Sequence, residues 1–438
     1  MPAMSAADHA SPGLVVRPFR GVRYDAGQVS DLAAVTSPPY DVIDPDSALH
    51  LEDLDPHNVI RLILPRDGAP GSPSRYAQAR SALEEWTALG VLRRDENPTM
   101  YVYEQSAPGL SQRGLLAAVG LQDPEAGVIL PHEDVMPGPV ADRLELMRAT
   151  SANLEPILLV YDGGGDTARV IDDVIDGGVA GAPVVATRTE DGLAQRVWAV
   201  TDPAVHERVA RDLAPRQALI ADGHHRYATY RRLQAEHRAA DDGAGDWDLG
   251  LAMLVDSRSH PPRVQAIHRV VAGLSLGDAV GAAVPVFRTR SAGGDLMSAL
   301  NTLAAATGRH PFVVTDGSEF VLIEDPRPDA LGLALPAEHS EQWRSLDASV
   351  LHALLLERLW EVPDDDPRTT YLHDADAAVR SARRTRGVAV LMRPVTVEVV
   401  REMAARGERM PRKSTSFGPK PRTGLVLRLL DPPAPHPT

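Results

Sequence analysis

The sequence predicts a mixed α/β fold, and three features point to it. Short apolar runs such as PILLVYD and QALIAD alternate with stretches of helical period such as RVIDDVIDG and PAVHERVARDL, as strands covered by helices do. Elsewhere apolar runs follow one another with no helix between them, as in TMYVYEQ with RGLLAAVGL, which adds antiparallel, α+β-type regions. With 438 residues, 43% of them hydrophobic and 24% charged, the chain is long enough for two or three domains with cores that need no staples.

In chain order, VRPFRGVRY (16–24) predicts a strand and SPPYDVIDPD (37–46) a proline-stiffened turn. Residues 73–92 carry helical period up to Gly90. PILLVYD is a buried strand that stops at three glycines, Gly163–Gly165, which suggest a domain boundary. APVVATR, QRVWAVTD, QALIAD and LGLAMLVDS are strands, and HRYATYRRLQAEHR is a helix. Later, HPFVVTDGSEFVLIED predicts a hairpin, LDASVLHALLLERLW an amphipathic helix and TGLVLRLL a final strand. The expected division is a disordered lead (1–14), an α+β domain (15–162), an α/β region (163–275), a C-terminal α+β region (276–430) and a disordered tail (431–438).

Composition excludes several functions. No cysteine is present, so there is no disulfide framework, thiolate metal site or cysteine nucleophile. A formal charge of −15 disfavours broad binding of nucleic acid, and no run of about eighteen apolar residues suggests a membrane span. The start lacks the basic and apolar pattern of an export signal, so a cytoplasmic protein is expected.

Basic charge is distributed oddly. Of 45 Lys and Arg residues only Lys413 and Lys420 are lysine, and both fall in RMPRKSTSFGPKPR (409–422). Chance would put both among the five basic positions there only about once in a hundred, and a compact ammonium on a flexible stem differs chemically from a fixed guanidinium fork. Phosphate chemistry is one reason to choose lysine; a solvated basic loop that tolerates either residue is the other.

The stretch QALIADGHHRYATYRRL carries the strongest functional signal. An apolar strand stops at Asp222-Gly223 and a helix begins near His224, so Gly223 permits a tight turn that aims the positive helix end outward. His224, His225 and Arg226 add donors at that end, and Asp222 is placed to cap the helix or orient a histidine. Ordinary turn and capping chemistry is the alternative. Adjacent histidines diverge by about 100° on a helix, which argues against one metal held by both.

The string Asp222 to Tyr227 resembles the strand-to-helix phosphate motif of the ParB and sulfiredoxin superfamily, which includes free-serine kinases. Sulfiredoxin activity needs a cysteine where His224 stands, so it is excluded. Across nearly the whole chain PFRGVRY, PPYDVI, NVIRLILP, LPHE, PGPVADRLELMRATSANLEPI, IADGHHRYATY and RMPRKSTSFGPKPRTGLV resemble the proteins grouped as domain of unknown function 1015. Val140 and Ala141 depart from the Lys-Glu common at that place in the family. The resemblance implies a ParB/sulfiredoxin-like nucleotide-binding core with additional mixed-sheet regions.

A second constellation is LPHEDVMPGPVADRL, which reads as a stiff, irregular loop carrying His132, Glu133, Asp134, Asp142 and Arg143. Glu133 and Asp142 are candidates for general base or Mg²⁺ ligand, with helix capping or solvated charge as the alternative. Tyr40, Asp41, His132, Arg143 and Asn153 are candidates for substrate binding. His268 and Arg269, alone on a strand, favour a structural role. GGGDTA (163–168) fits a loose dinucleotide fingerprint but lacks the acidic residue about 20 positions on, and no Walker-type loop occurs.

The combined expectation is a nucleotide-dependent phosphotransferase acting on a small hydroxyl compound, with serine the first acceptor to consider. ATP or ADP would be the donor, with CTP a third option, and Mg²⁺ the accompanying ion. Gly223, His224, His225, Arg226, Lys413, Ser414, Thr415 and Lys420 would hold phosphates, and Lys413 and Lys420 would neutralise charge on the transferred group. Asp222 would set a histidine tautomer. The rivals are a phosphate-ester hydrolase of phosphoserine phosphatase type and a ParB-like nucleotide-binding switch without small-molecule catalysis.

Overall fold

The computed structural model describes residues 13–69, 71–364 and 366–431. They divide into two units: one runs to Pro262 and resumes at Pro419, and the other is the inserted stretch Arg263–Gly418. The boundary expected at Gly163–Gly165 falls inside the first unit, and those expected at 275 and 276 fall inside the second. Leu14, assigned to a disordered lead, is buried and donates its N–H to the Ala214 carbonyl at 3.0 Å. At the far end Asp431 pairs with Arg94 at 2.7 Å. The rest of the expected lead and tail lies outside the described residues.

The first unit is built on a nine-stranded mixed sheet. Its order is Ile129–Leu130, Ala218–Asp222, Ile157–Tyr161, Leu249–Asp256, Leu110–Gly120, Met100–Ala107, Ala194–Val200 and Val185–Arg188, with Val16–Arg17 pairing on Leu110–Gly120. Ala218–Asp222, Ile157–Tyr161 and Leu249–Asp256 are apolar at almost every position, as strands covered on both faces must be. Leu115, Ala117, Leu159, Ile220 and Leu254 belong to the core they form. Met100–Ala107 and Leu110–Gly120, both expected as strands, pair with each other as an antiparallel hairpin.

A four-stranded sheet lies in the same unit, in the order Leu92–Arg94, Gly21–Tyr24, Leu427–Leu429, Ala152–Asn153. It brings the C-terminal strand back to the N-terminal one, and Val22, Ile60, Trp86 and Leu427 share its core. The strand expected over 16–24 is broken, because Pro18 has no N–H for a ladder; its two ends join different sheets. SPPYDVIDPD is a short 3₁₀ turn, Tyr40–Val42, followed by a helix that Asp44 caps.

The loop expected over LPHEDVMPGPVADRL ends early. Pro137 opens a helix, Pro137–Thr150, where a missing N–H is harmless, so Asp142 and Arg143 are helical residues. This helix packs on Arg75–Ala88 and on His224–Ala239.

The second unit contains a six-stranded sheet, ordered Arg288–Gly293, Phe320–Glu324, Phe312–Thr315, Val388–Leu391, His268–Val271, Thr369–Leu372. Phe312–Thr315 and Phe320–Glu324 form the predicted hairpin. Arg269 is fully buried and donates to His352 Nε2 and to the Lys413 carbonyl, both at 2.9 Å, in keeping with the structural role expected of it. LDASVLHALLLERLW is helical, with a π-helical stretch over Leu351–Leu359.

The glycine run is explained by close approach rather than by a nucleotide. Gly164 N–H donates to Asp256 at 2.7 Å, Thr167 N–H donates to Asp212 at 3.0 Å, and a Cβ on Gly163 would lie 1.5 Å from Asp256 Oδ1. Carboxylates of the protein thus occupy the turn that a pyrophosphate would need. Gly163→Ala is expected to destabilise the protein by about 1–3 kcal/mol, the usual range for overpacking a buried site, measured by urea denaturation.

Candidate functional site

Asp222 ends its strand against Leu158 of the neighbouring strand, after a register shift that follows Ile220. Gly223 then adopts φ 91° and ψ 31°, a left-handed conformation, and the 16-residue helix His224–Ala239 starts with no side chain capping it. A Cβ at Gly223 would come within 2.9 Å of Ile157 Cγ2 and 3.0 Å of Arg226 Nε. Glycine is therefore required here by conformation and by space.

Both oxygens of Asp222 are engaged by cations. Arg226, one helical turn on, pairs with Oδ2, and Lys420 Nζ lies 2.6 Å from Oδ1. Lys420 also pairs with Asp41, which sits in the 3₁₀ turn. Burial favours neutral Asp222, but Lys420 and Arg226 outweigh it and hold its pKa at about 2. Burial likewise works against the Lys420 charge, yet Asp222 and Asp41 raise its pKa above the ordinary lysine value.

The segment carrying Lys420 is fixed by its backbone. Gln105 and Gln112 donate to the carbonyls of Lys420 and Pro419 at 3.0 and 2.7 Å. Arg422 N–H donates to the Tyr103 hydroxyl at 3.1 Å, and Ser37 and Thr423 exchange backbone bonds of 3.2 and 2.9 Å. The expected return of the chain to the DGHHR turn is thus made by Lys420. Lys413 belongs to the second unit, where it is exposed with φ 57°. Ser414 and Thr415 belong to that unit as well, the Ser414 hydroxyl donating to the Pro411 carbonyl. Of the two lysines expected to act together, Lys420 lies in the first unit and Lys413 in the second.

The two histidines hold the loop that precedes the Pro137–Thr150 helix. His224 Nε2 accepts the His132 N–H at 3.3 Å, and His225 Nε2 accepts the Met136 N–H at 3.0 Å. Accepting at Nε2 leaves the proton of each neutral ring on Nδ1, so any donation to an anion comes from there. The ring of His132, fully buried, meets His224 edge-on with centroids 4.6 Å apart. Glu133 and Asp134 lie in this loop, half-buried and exposed respectively.

Asp142 does not have the bonds expected of a base or metal ligand. It accepts from Arg75 at 2.7 Å, Tyr76 at 2.8 Å and Arg143 at 2.9 Å. Burial opposes its charge, but the Arg143 guanidinium leads the groups that hold its pKa below the usual carboxylate range. Its lone pairs are spent, so Mg²⁺ does not fit at a Glu133–Asp142 pair. Among the described residues no three His, Asp or Glu side chains are grouped to hold a metal.

Asn153 is also differently employed. Its buried Oδ1 accepts from Leu251 N at 3.1 Å and Arg428 at 3.0 Å, which ties the two sheets of the first unit rather than facing the turn. Tyr40 lies under two guanidiniums, those of Arg143 and Arg226 at 4.5 and 6.0 Å from its ring centre. Burial pushes its hydroxyl up to about 12.

Sequence reasoning missed Glu155. This buried carboxylate accepts the Tyr40 N–H at 2.9 Å and the Thr423 hydroxyl at 3.3 Å. Burial raises its pKa, against the pull of Arg226 and Arg143. A small, partly open cavity lies between Arg143, Glu155, Arg226 and Tyr230. The available signal was an acidic residue two positions before a five-residue apolar strand.

Residues 16–349 match the family described as a protein of unknown function, DUF1015. The chain belongs to this family. The match stops short of the segment 409–422, so that part of the resemblance rests on the quoted residues alone. No curated protein matches the chain. Among solved structures it is similar to a free serine kinase in complex with AMP, at 15% identity and TM-score 0.34, covering 70% of this chain and 87% of that one. A conserved hypothetical protein from Pyrococcus furiosus is similar at 15% identity and TM-score 0.33, covering 70% and 90%. SbnI from Staphylococcus aureus, truncated at its C-terminus, is similar at 12% identity and TM-score 0.35, covering 69% and 82%.

Removing the ammonium would leave Asp41 and Asp222 facing each other. Lys420→Met is expected to cost about 3 kcal/mol at pH 7, the low end for breaking a buried pair because Asp41 is about a third exposed. The native Asp222 pKa lies below the unfolded value of about 3.9, so its stabilisation is present above that value and is lost as pH falls toward 2. In the variant the carboxylate pKa rises, so the gap between the two proteins narrows as the pH is lowered from 7. Urea midpoints from pH 7 down to 4 check both the size and the trend.

Proposed function

We propose that the first unit binds nucleotide phosphates at the Gly223 turn and that the protein transfers a phosphoryl group to a small hydroxyl compound, serine being the first acceptor to test. The observation that carries this reading is the Lys420 ammonium, brought from 198 positions along the chain to Asp222, beside a helix N-terminus without a side-chain cap. A helix end and an adjacent ammonium together form an anion seat, and both are oriented before any ligand arrives. The string that resembles the ParB and sulfiredoxin phosphate motif, Asp222 to Tyr227, falls on the same residues.

The ion pairs specify how such a site would work. Lys420 has two partners, of which Asp41 is the more exposed and Asp222 the more buried. An arriving phosphate takes the place of Asp41 on the exposed side of the ammonium, while Asp222 keeps its own contact with Nζ. Lysine suits this exchange because its flexible stem lets one charge follow a moving anion, whereas a bidentate guanidinium would have to break two bonds at once. Arg226 stays with Asp222 and with the Pro156 carbonyl at 2.6 Å, so it shapes the turn more than it meets the ligand.

With Asp142 committed to three donors, Glu133 keeps the role of accepting the hydroxyl proton. It lies in the loop that His224 and His225 hold by its backbone, so the phosphate end of the helix and the candidate base are mechanically linked.

Purified protein incubated with labelled ATP, ADP or CTP, with and without Mg²⁺, and a pool of hydroxy amino acids tests the proposal. A phosphorylated amino acid supports it, inorganic phosphate released from phosphoserine favours a hydrolase, and nucleotide binding with neither product favours a switch. Lys420→Arg keeps the charge yet is expected to lower kcat by about tenfold or more, as a misplaced transition-state contact does. Turnover unchanged in that variant would remove Lys420 from the phosphoryl path.

A further inference from the structure

We infer that Glu155 is a positioning residue that holds Asp41 and Lys420 in register with the Gly223 turn. Its Oε1 accepts from the backbone of Tyr40, the neighbour of Asp41, and from the hydroxyl of Thr423, three residues after Lys420. One buried oxygen thus receives both segments that carry the partners of the ion pair. Those segments are already paired through Ser37 and Thr423, and through Arg422, which donates to the Thr36 carbonyl at 2.9 Å. Glu155 sits where they meet.

The same residue is fastened to the helix that starts at the turn. Its backbone carbonyl accepts the Tyr230 hydroxyl at 2.9 Å, and the next carbonyl, Pro156, accepts Arg226. A neutral residue of the same shape could make some of these bonds, but it would not supply the charge. Arg226, itself buried, is shared electrostatically between Asp222 and Glu155, while Lys420 is shared between Asp222 and Asp41. Without the charge of Glu155, Arg226 turns wholly to Asp222 and competes there with Lys420 for the same carboxylate. The position of the ammonium therefore depends on a carboxylate that it does not touch.

Only the catalytic consequence of this inference rests on the proposed phosphotransferase reading; the positional claim has its own readout. Because the chain has two lysines, protein labelled with ¹⁵N-lysine gives two side-chain ammonium signals, and Lys413→Arg assigns them. In the parent protein the Lys420 signal is expected to persist at neutral pH, since a half-buried ammonium paired with two carboxylates exchanges its protons slowly. Glu155→Gln is expected to speed that exchange about tenfold or more by weakening a charge-assisted contact, and Thr423→Val, which removes one hydroxyl and keeps every charge, to speed it by less.

Lys420 exchange that stays within about twofold of the parent in every folded member of this pair overturns the inference, being too small a change for a lost charge-assisted bond. Should Glu155→Gln fail to fold, Thr423→Val alone decides in the same way. If the parent forms phosphoserine, Glu155→Gln raises the nucleotide KM more than it lowers kcat, as expected when a binding group is misplaced but present. A parent that forms none sinks the proposed function, and the exchange rates still decide the role of Glu155.

Discussion

The ammonium of Lys420 between Asp41 and Asp222 is the contact on which the rest of the site depends. It joins the 3₁₀ turn near the N-terminus, the strand end in the middle of the sequence and the segment that returns after residue 418. Such an ion pair does not primarily add stability, because taking three charges out of water costs much of what their attraction returns. Its effect is specificity of arrangement. The packing observed for the returning segment gives Asp222 a second cation beside Arg226 and pairs Asp41 with the same ammonium.

The apolar scaffold makes that arrangement rigid. The strand that ends at Asp222 and its neighbour Ile157–Tyr161 have no exposed residue, so the turn projects from a packed edge rather than from a flexible loop. The helix behind the turn is fixed along its length: the Tyr227 hydroxyl bonds to Gln122, the Tyr230 hydroxyl to Glu155, and Glu236 pairs with Arg148 of the Pro137–Thr150 helix. The two histidines at its start face the other way, toward the loop of His132 and Glu133. One helix end therefore organises both the ion pairs at Asp222 and the neighbouring carboxylate-bearing loop.

Much of this was legible in the sequence because it is local. A strand stopped by Asp-Gly and followed by a helix, a hairpin around DGS and a helix ended near Gly90 are set by residues within a turn or two of each other. The rarity of lysine led to Lys420 without any knowledge of the fold. Long-range facts were not legible. That Asp142 meets Arg75 and Tyr76 follows from packing of two helices, and that Glu155 is buried beside Tyr40 follows from the return of residues 419–423. The unit boundary was misplaced because glycine was taken as a sign of a linker. Gly163 is small so that Asp256 can approach, whereas the chain leaves and re-enters the first unit beside prolines, at Pro261-Pro262 and Pro419.

The insertion of the second unit within the first has a consequence for biogenesis. A ribosome synthesises the Asp222 turn, then the whole of 263–418, and only afterwards the lysine that neutralises that turn. Until then the nascent first unit has Asp222 paired with Arg226 alone and a sheet lacking Leu427–Leu429. Completion of the site therefore waits for synthesis of the inserted unit, and a chain released before residue 420 would carry most of the scaffold but none of the ammonium that organises it.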